Sequence, residues 1–290
     1  MDVQLYQCFH DHGSFPKEKY ISDIRPALLC GSSATHRNTD DITGCLRDDV
    51  GENISFDNPQ YSELTGYYWV WKNRPSDYVG IEHYRRHFLS PTVKSEIDEV
   101  QTSDLLTGNE VKTILNERDI IVPVPERLWN TSVFDLYKIC FNDQAYDIVY
   151  WMKNYFAIID KERKTNYLSA TYDYMSNNIL FRGNMLITKW DTYCEYCYEM
   201  FSMIDFMKEN MEVKPESRVW GYVTELFPMI YITANGLSYE EVNVAIDDFN
   251  IETGEERVHT TISNYTEMVT FDKDPNEQIE MMKSLEIGNY

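Results

Sequence analysis

Several signatures are missing from this chain. It has no G-x-x-x-x-G-K-[ST] loop, no G-x-G-x-x-G turn, no G-x-S-x-G elbow and no H-E-x-x-H helix. These absences exclude the P-loop phosphate cradle, the dinucleotide-binding turn, the hydrolase nucleophile elbow and the zincin metal site. Basic residues are few: 26 Lys and Arg stand against 48 Asp and Glu, for a net charge of -22. That balance argues against a protein that coats nucleic acid or adheres broadly to anionic lipid. No apolar run is long enough to span a bilayer, and Met1-Asp2-Val3-Gln4 has no secretory-leader character. The cysteines (Cys8, Cys30, Cys45, Cys140, Cys194 and Cys197) are scattered, and Cys194-Glu-Tyr-Cys197 is a lone C-x-x-C with no second pair to close a zinc site. A cytoplasmic protein with reduced thiols is the expectation. There is no internal repeat.

What is present suffices for a large core. Hydrophobic residues make up 43% of 290, and aromatics 14%, with 22 Tyr and 6 Trp. Most of these rings are core; an exposed Tyr or Trp face also suits the C–H face of a sugar. Apolar runs at 3–9, 27–30, 78–81, 119–124, 182–187 and 229–233 read as strands. Helical spacing marks 58–73, 134–156, 190–208 and 217–227, the last stopped by Pro228. Strands alternating with helices predict an α/β fold with a mixed sheet. Beyond residue 234 the pattern weakens and acidity rises, so 1–234 reads as the domain. Residues 235–290 read as an acidic extension, either packed on that domain or forming a strand pair or lid.

Residues 53–88 are the most informative. Asn58 suits an N-cap and Pro59 the first helical turn. Leu64, Tyr67, Tyr68 and Trp71 follow at i, i+3, i+4 and i+7. A short strand then stops abruptly at Glu82-His83-Tyr84-Arg85-Arg86-His87. Cationic and titratable groups at the carboxyl end of a strand lie where open α/β sheets bind ligands. Paired guanidiniums grip a diphosphate through bidentate hydrogen bonds, and His83 can donate a proton or hold a phosphate. The competing reading pairs these cations with the chain's own carboxylates. Asp48 and Asp49, in a turn-rich loop, either hold a ribose, a base or a divalent cation, or simply form the turn. Lys72 and Glu63 each complement the helix dipole as well as they would serve a ligand. Arg218 and Glu225 lie seven apart on one helix face, as a general base with a neighbouring cation or as a salt-bridge network. Asn184, after Gly183, either approaches a ligand or makes a turn.

At these residues the chain resembles a family of bacterial capsular and exopolysaccharide glycosyltransferases long catalogued only as a domain of unknown function. The resemblance rests on N-I-S at residues 53–55, N-P-x-Y-x-E-L-T at 58–65, Y-W-x-W-K-N at 68–73 and G-I-x-H-Y-R-R-x-F at 80–88. G-N-M-x-I at 183–187 and R-V-x-G-Y-x-x-E-L at 218–226 extend it. It covers the chain to about residue 233; the acidic region beyond matches nothing in the pattern.

The resemblance implies a GT-A-like nucleotide-sugar-binding mixed sheet flanked by helices, with a UDP-linked donor as the expected class. It implies transfer to a hydroxyl of a growing glycan, lipid-linked acceptors included, with inversion by single displacement in polysaccharide biosynthesis. Any membrane contact would then be peripheral and made through the acceptor. Glu225 is the expected base, with Glu63 and Asp49 as rivals. Arg85, Arg86 and His83 are expected to stabilise the leaving diphosphate. Asp48, Asp49, Asn53, Ser55, Glu63, Lys72, Tyr84, Asn184 and Arg218 are the expected donor-pocket residues. The usual D-x-D motif is missing where Glu82-His83 stands, which leaves open a requirement for Mn2+ or Mg2+. The alternatives from the residues alone are a non-catalytic glycan- or nucleotide-sugar-binding module and a phosphate-ester hydrolase built on the basic cluster.

Overall fold

The computed structural model describes residues 2–34, 39, 41–95, 97–128, 131–141, 144–181, 183–214, 217–249 and 256–261. Among these the strands are β1 (Val3–Phe9), β2 (Ala27–Leu29), β3 (Leu46–Arg47), β4 (Tyr78–His83), β5 (Arg86–Phe88), β6 (Ile120–Pro123), β7 (Glu126–Arg127), β8 (Ile179–Leu180), β9 (Leu186–Lys189), β10 (Tyr239–Val242), β11 (Val244–Phe249) and β12 (Glu256–Thr261). The helices are α1 (Asn58–Tyr61), α2 (Leu64–Asn73), α3 (Gly108–Glu117), α4 (Val133–Phe141), α5 (Gln144–Arg163), α6 (Tyr167–Ser176), α7 (Trp190–Asn210), α8 (Val219–Thr224) and α9 (Phe227–Asn235).

One mixed, mostly parallel sheet runs in the order β10-β6-β9-β4-β1-β2-β3. Strands β3, β2, β1 and β4 are mutually parallel. Strand β9 is antiparallel to both β4 and β6. Strand β1 is buried almost throughout, Gln7 included, as a central strand covered on both faces must be. Alternation then sorts its side chains: Val3 and Leu5 join the core under α3, while Tyr6 and Cys8 join the larger core under α2 and α7. Gly66 lets α2 lie close on the sheet, because a Cβ there would come within 2.7 Å of Cys30 Sγ and 3.1 Å of Cys8 Sγ. That close approach carries the start of α2 to the carboxyl ends of β1, β2 and β4.

The segment 58–73 is two helices rather than one. Ser62 takes a left-handed φ of 53° between α1 and α2, a turn that the 3.6-residue periodicity did not mark. The segment 134–156 likewise divides into α4 and α5; of 182–187, residue 182 lies outside the described residues, and Leu186 and Ile187 open β9 after a turn at Gly183-Asn184. Pro228 opens α9 instead of ending a helix, and 229–233, read as a strand, is the body of that helix. A proline in the first turn lacks only an N–H that no helix would use, so it starts helices as well as stops them. Past residue 235, β10 pairs with β6 and β11 with β5, so the acidic segment adds strands to the main sheet. Residues 250–255 and those from 262 onward lie outside the described residues.

Candidate active site

The carboxyl ends of β1, β2 and β4 lie along one edge of the sheet. Two cavities open there, of about 260 Å3 and about 490 Å3. The first is floored by Cys8 and Cys30 and walled by His10, Asn58 and Tyr84. The second lies against α4 and α8, with Leu136, Tyr137, Phe141 and Tyr222 on its apolar side and Arg86 and Glu225 on its polar side. Ser62, Glu63, His83, Arg85 and Arg218 line both. Three guanidiniums are thereby gathered at one edge of a strongly acidic protein.

Each shared side chain has a local cause. Ser62 sits on the break between α1 and α2, and its hydroxyl accepts from Arg218 Nε at 3.0 Å. Arg218 itself has a left-handed φ of 53° just before α8. Its backbone N–H donates to Pro59 O at 3.3 Å, and its guanidinium lies 5.8 Å from the Tyr222 ring centroid. Arg85 occupies the tight turn between β4 and β5; its carbonyl accepts from Asp247 N at 2.8 Å, so β11 braces that turn. The Arg86 guanidinium is weakened by burial and by neighbouring Arg85, and supported by Glu225, Glu126 and Glu63; an arginine so placed stays cationic.

His83 is neutral at neutral pH. Burial first, then the charges of Arg86 and Arg85, bring its imidazole down to about 3. Its Nε2 lies 4.0 Å from Glu63 Oε2, so this approach is dipolar and not an ion pair. A neutral imidazole gives a hydrogen bond to a ligand but no positive charge, and charge neutralisation falls to the arginines. Glu63 shows the opposite pull: burial pushes its carboxyl up, while the hydrogen bond from Asn184 and the charges of Arg218 and Arg86 draw it down.

Of the residues expected at the site, His83, Arg85, Arg86, Glu225, Glu63, Tyr84 and Arg218 line one or both cavities. The other six line neither. Asp48 is fully buried and accepts from Gly31 N at 2.7 Å, Ser32 N at 3.0 Å and Ser55 Oγ at 2.5 Å. It and Ser55 therefore tie down the loop after β2. Asp49 pairs with Arg47 at 3.4 Å, and Asn53 bonds within its own turn. Lys72 ends α2, a ten-residue helix about 15 Å long, and its Nζ sits 3.5 Å over the Trp71 ring. Asn184 is buried behind Glu63.

Ser62, His10 and the wall of Tyr137, Phe141 and Tyr222 went unmarked in the sequence. His10 had a signal available, since it directly follows the first strand; the aromatic wall had none, because Tyr137 and Phe141, one turn apart on α4, look like core positions and Tyr222 joins them only in the fold. Among the described residues no group of three or more His, Cys, Asp or Glu side chains comes together to hold a metal ion. The cations present in the cavities are the guanidiniums.

A family model described as "Domain of unknown function (DUF4422)" matches residues 4–236. No curated protein matches the chain. Among solved structures it is similar to the apo structure of WbbM, a bifunctional glycosyltransferase, with 26% sequence identity and a TM-score of 0.68. That similarity covers 84% of this chain and 45% of the other, so this chain spans less than half of that bifunctional protein.

Proposed function

The chain belongs to the DUF4422 family, and on that premise we propose that it is a glycosyltransferase moving a sugar from a nucleotide-sugar donor to a glycan hydroxyl. The similarity to a glycosyltransferase structure supports transferase activity in general. A UDP-linked donor, a GT-A-like mode of binding, inversion, and a place in polysaccharide biosynthesis are finer parts of the same proposal. The observation that carries it is the pair of cavities sharing one wall of cations and a carboxylate. Glycosyl transfer needs two ligands to meet, with negative charge developing on the leaving diphosphate between them.

In this reading the first cavity takes the nucleoside. Arg85 and Arg218 on the shared wall, with Arg86 beside them in the second cavity, neutralise the charge the diphosphate gains as the bond to the sugar breaks, and such charge stabilisation is often what lowers the barrier most. The second cavity takes the acceptor, its aromatic side lying against sugar C–H faces. A carboxylate at the cavities, Glu63 or Glu225, receives the acceptor proton. No helix among the described residues is long and apolar enough to cross a membrane; a lipid-linked acceptor would bring the protein to the membrane peripherally.

Thermal-shift titration with UDP, GDP, dTDP and CMP, each with Mn2+ and with EDTA, tests this. A ligand that binds only the folded state raises the melting temperature. A shift with UDP supports the donor class, and its persistence in EDTA supports a diphosphate held by arginine. No shift with any of the four contradicts the proposal and turns the reading toward a glycan-binding module.

A further inference from the structure

We propose that Glu63 takes the proton from the acceptor hydroxyl and that Asn184, which lines neither cavity, is the residue that positions it. The assignment rests on the proposed transferase function and goes beyond it by choosing between two carboxylates on geometry.

Glu63 lines both cavities, whereas Glu225 lines only the second. A base in single displacement must touch the acceptor oxygen as that oxygen reaches the donor's anomeric carbon, so it belongs on the wall the two ligands share. Both carboxylates support the charge of Arg86, so the choice between them rests on the shared wall.

The carboxylate of Glu63 is also held from behind. Its Oε1 accepts from Asn184 Nδ2 at 2.7 Å, and the same amide nitrogen donates to Gly221 O at 2.8 Å. Both amide hydrogens of Asn184 are thereby used, one on the base and one on α8. The Asn184 backbone carbonyl accepts from the Tyr67 hydroxyl, which fixes the turn to α2. Asn184 has a left-handed φ of 46°, a conformation that asparagine tolerates better than most residues. Strained backbone of this kind persists where the surroundings over-determine it. With Oε1 engaged, Oε2 remains, 4.0 Å from His83 Nε2. His83 on β4, Arg86 on β5, Arg218 before α8, Tyr67 on α2 and Cys30 after β2 are the titratable and charged groups coupled to this carboxylate.

In the transfer step the acceptor O–H proton passes to Glu63 Oε2, and the oxygen's electron pair forms the new bond to the anomeric carbon. The bond from that carbon to the phosphate oxygen breaks, and its pair departs with the nucleoside diphosphate. Burial raises the Glu63 carboxyl toward neutrality, where a general base works best.

The test uses the full chain, UDP-glucose, UDP-galactose and UDP-galactofuranose as donors, and octyl β-galactoside as acceptor, with UDP release as the readout. E63Q should lower transfer by roughly 100-fold or more while keeping the wild-type melting shift with UDP. E225Q should lose far less. N184D keeps the left-handed turn and the side-chain size but sets an acceptor and a negative charge beside Glu63. It should move the acid limb of the pH–rate profile upward by roughly one pH unit; a merely structural lesion would lower the rate equally at all pH values. An E63Q chain that binds UDP and transfers at the wild-type rate, or an N184D limb that does not move, overturns the assignment. A wild-type chain with neither a UDP shift nor UDP release overturns the transferase reading itself, and the assignment with it.

Discussion

Arg25 and Glu82 form a buried ion pair directly beneath the site: Arg25 Nε lies 3.2 Å from Glu82 Oε2, with the side chains 4% and 0% exposed. The other Glu82 oxygen accepts from Phe88 N at 3.0 Å, and Arg25 also donates to the Leu106 carbonyl. The pair therefore fixes the return from β4 to β5 that presents Arg85 and Arg86.

Removing one partner leaves the other charge buried alone. R25A is expected to cost about 3–5 kcal/mol of stability at pH 8, measured by urea unfolding. Burial already raises the Glu82 carboxyl against the pull of Arg25, and losing Arg25 raises it further. An acid whose folded pKa lies above its unfolded value destabilises the fold at pH values above that unfolded value, about 4.3 for Glu. The deficit should shrink as pH falls and Glu82 takes up its proton. An equal deficit at pH 8 and pH 5 would contradict this.

His83 and His87 make the protein acid-sensitive. Burial, followed by nearby cationic charge, brings each imidazole from 6.5 to about 3, and both ring nitrogens of the fully buried His87 are without hydrogen-bond partners. For a base whose folded pKa is depressed, the stability is present above about 6.5 and is lost as pH falls toward about 3. Each histidine contributes a slope of about 1.4 kcal/mol per pH unit within that window. H87L should remove one of the two slopes in urea unfolding at pH 7, 6 and 5. An unchanged slope would show that His87 titrates normally.

Gly31 should not accept a side chain. Its φ is +75°, and a Cβ would come within 2.4 Å of Asn58 Cγ. G31A is expected to cost roughly 2–4 kcal/mol, from the left-handed backbone and overpacking. It should also weaken the UDP shift, because Asn58 and Cys30 line the first cavity. An unchanged melting temperature and UDP shift would contradict this packing.

In the proposed function Arg86 distinguishes a diphosphate from a nucleoside. Charge-assisted hydrogen bonds are worth about 1.5–3 kcal/mol, so R86A should weaken UDP roughly 10- to 100-fold and change uridine affinity little. Calorimetric titration of both ligands checks this; equal loss for both would place Arg86 away from the phosphates.

The basic edge of the site was legible because an apolar strand ends in four consecutive residues, His83-Tyr84-Arg85-Arg86, that no core strand would carry. Strand β1 and helix α7 were legible from their long apolar periodicity. The roles of Asp48 and Lys72 were not. Two adjacent aspartates in a turn look alike whether they face ligand or backbone, and only the fold turns Asp48 inward onto Gly31, Ser32 and Ser55. The pairing of Glu63 with Asn184 spans 121 residues and arises from tertiary packing alone. Pro228 shows the limit of local rules, since the same residue ends one helix or starts the next depending on the residues after it.

The most direct measurement of glycosyl transfer is mass spectrometry of octyl β-galactoside after incubation with the wild-type chain and the three UDP-sugars, with released UDP quantified in parallel. One glycosylated product per UDP released, absent with R86A, is the expected result. UDP binding at saturating donor and acceptor with no glycosylated product would contradict the function proposed here.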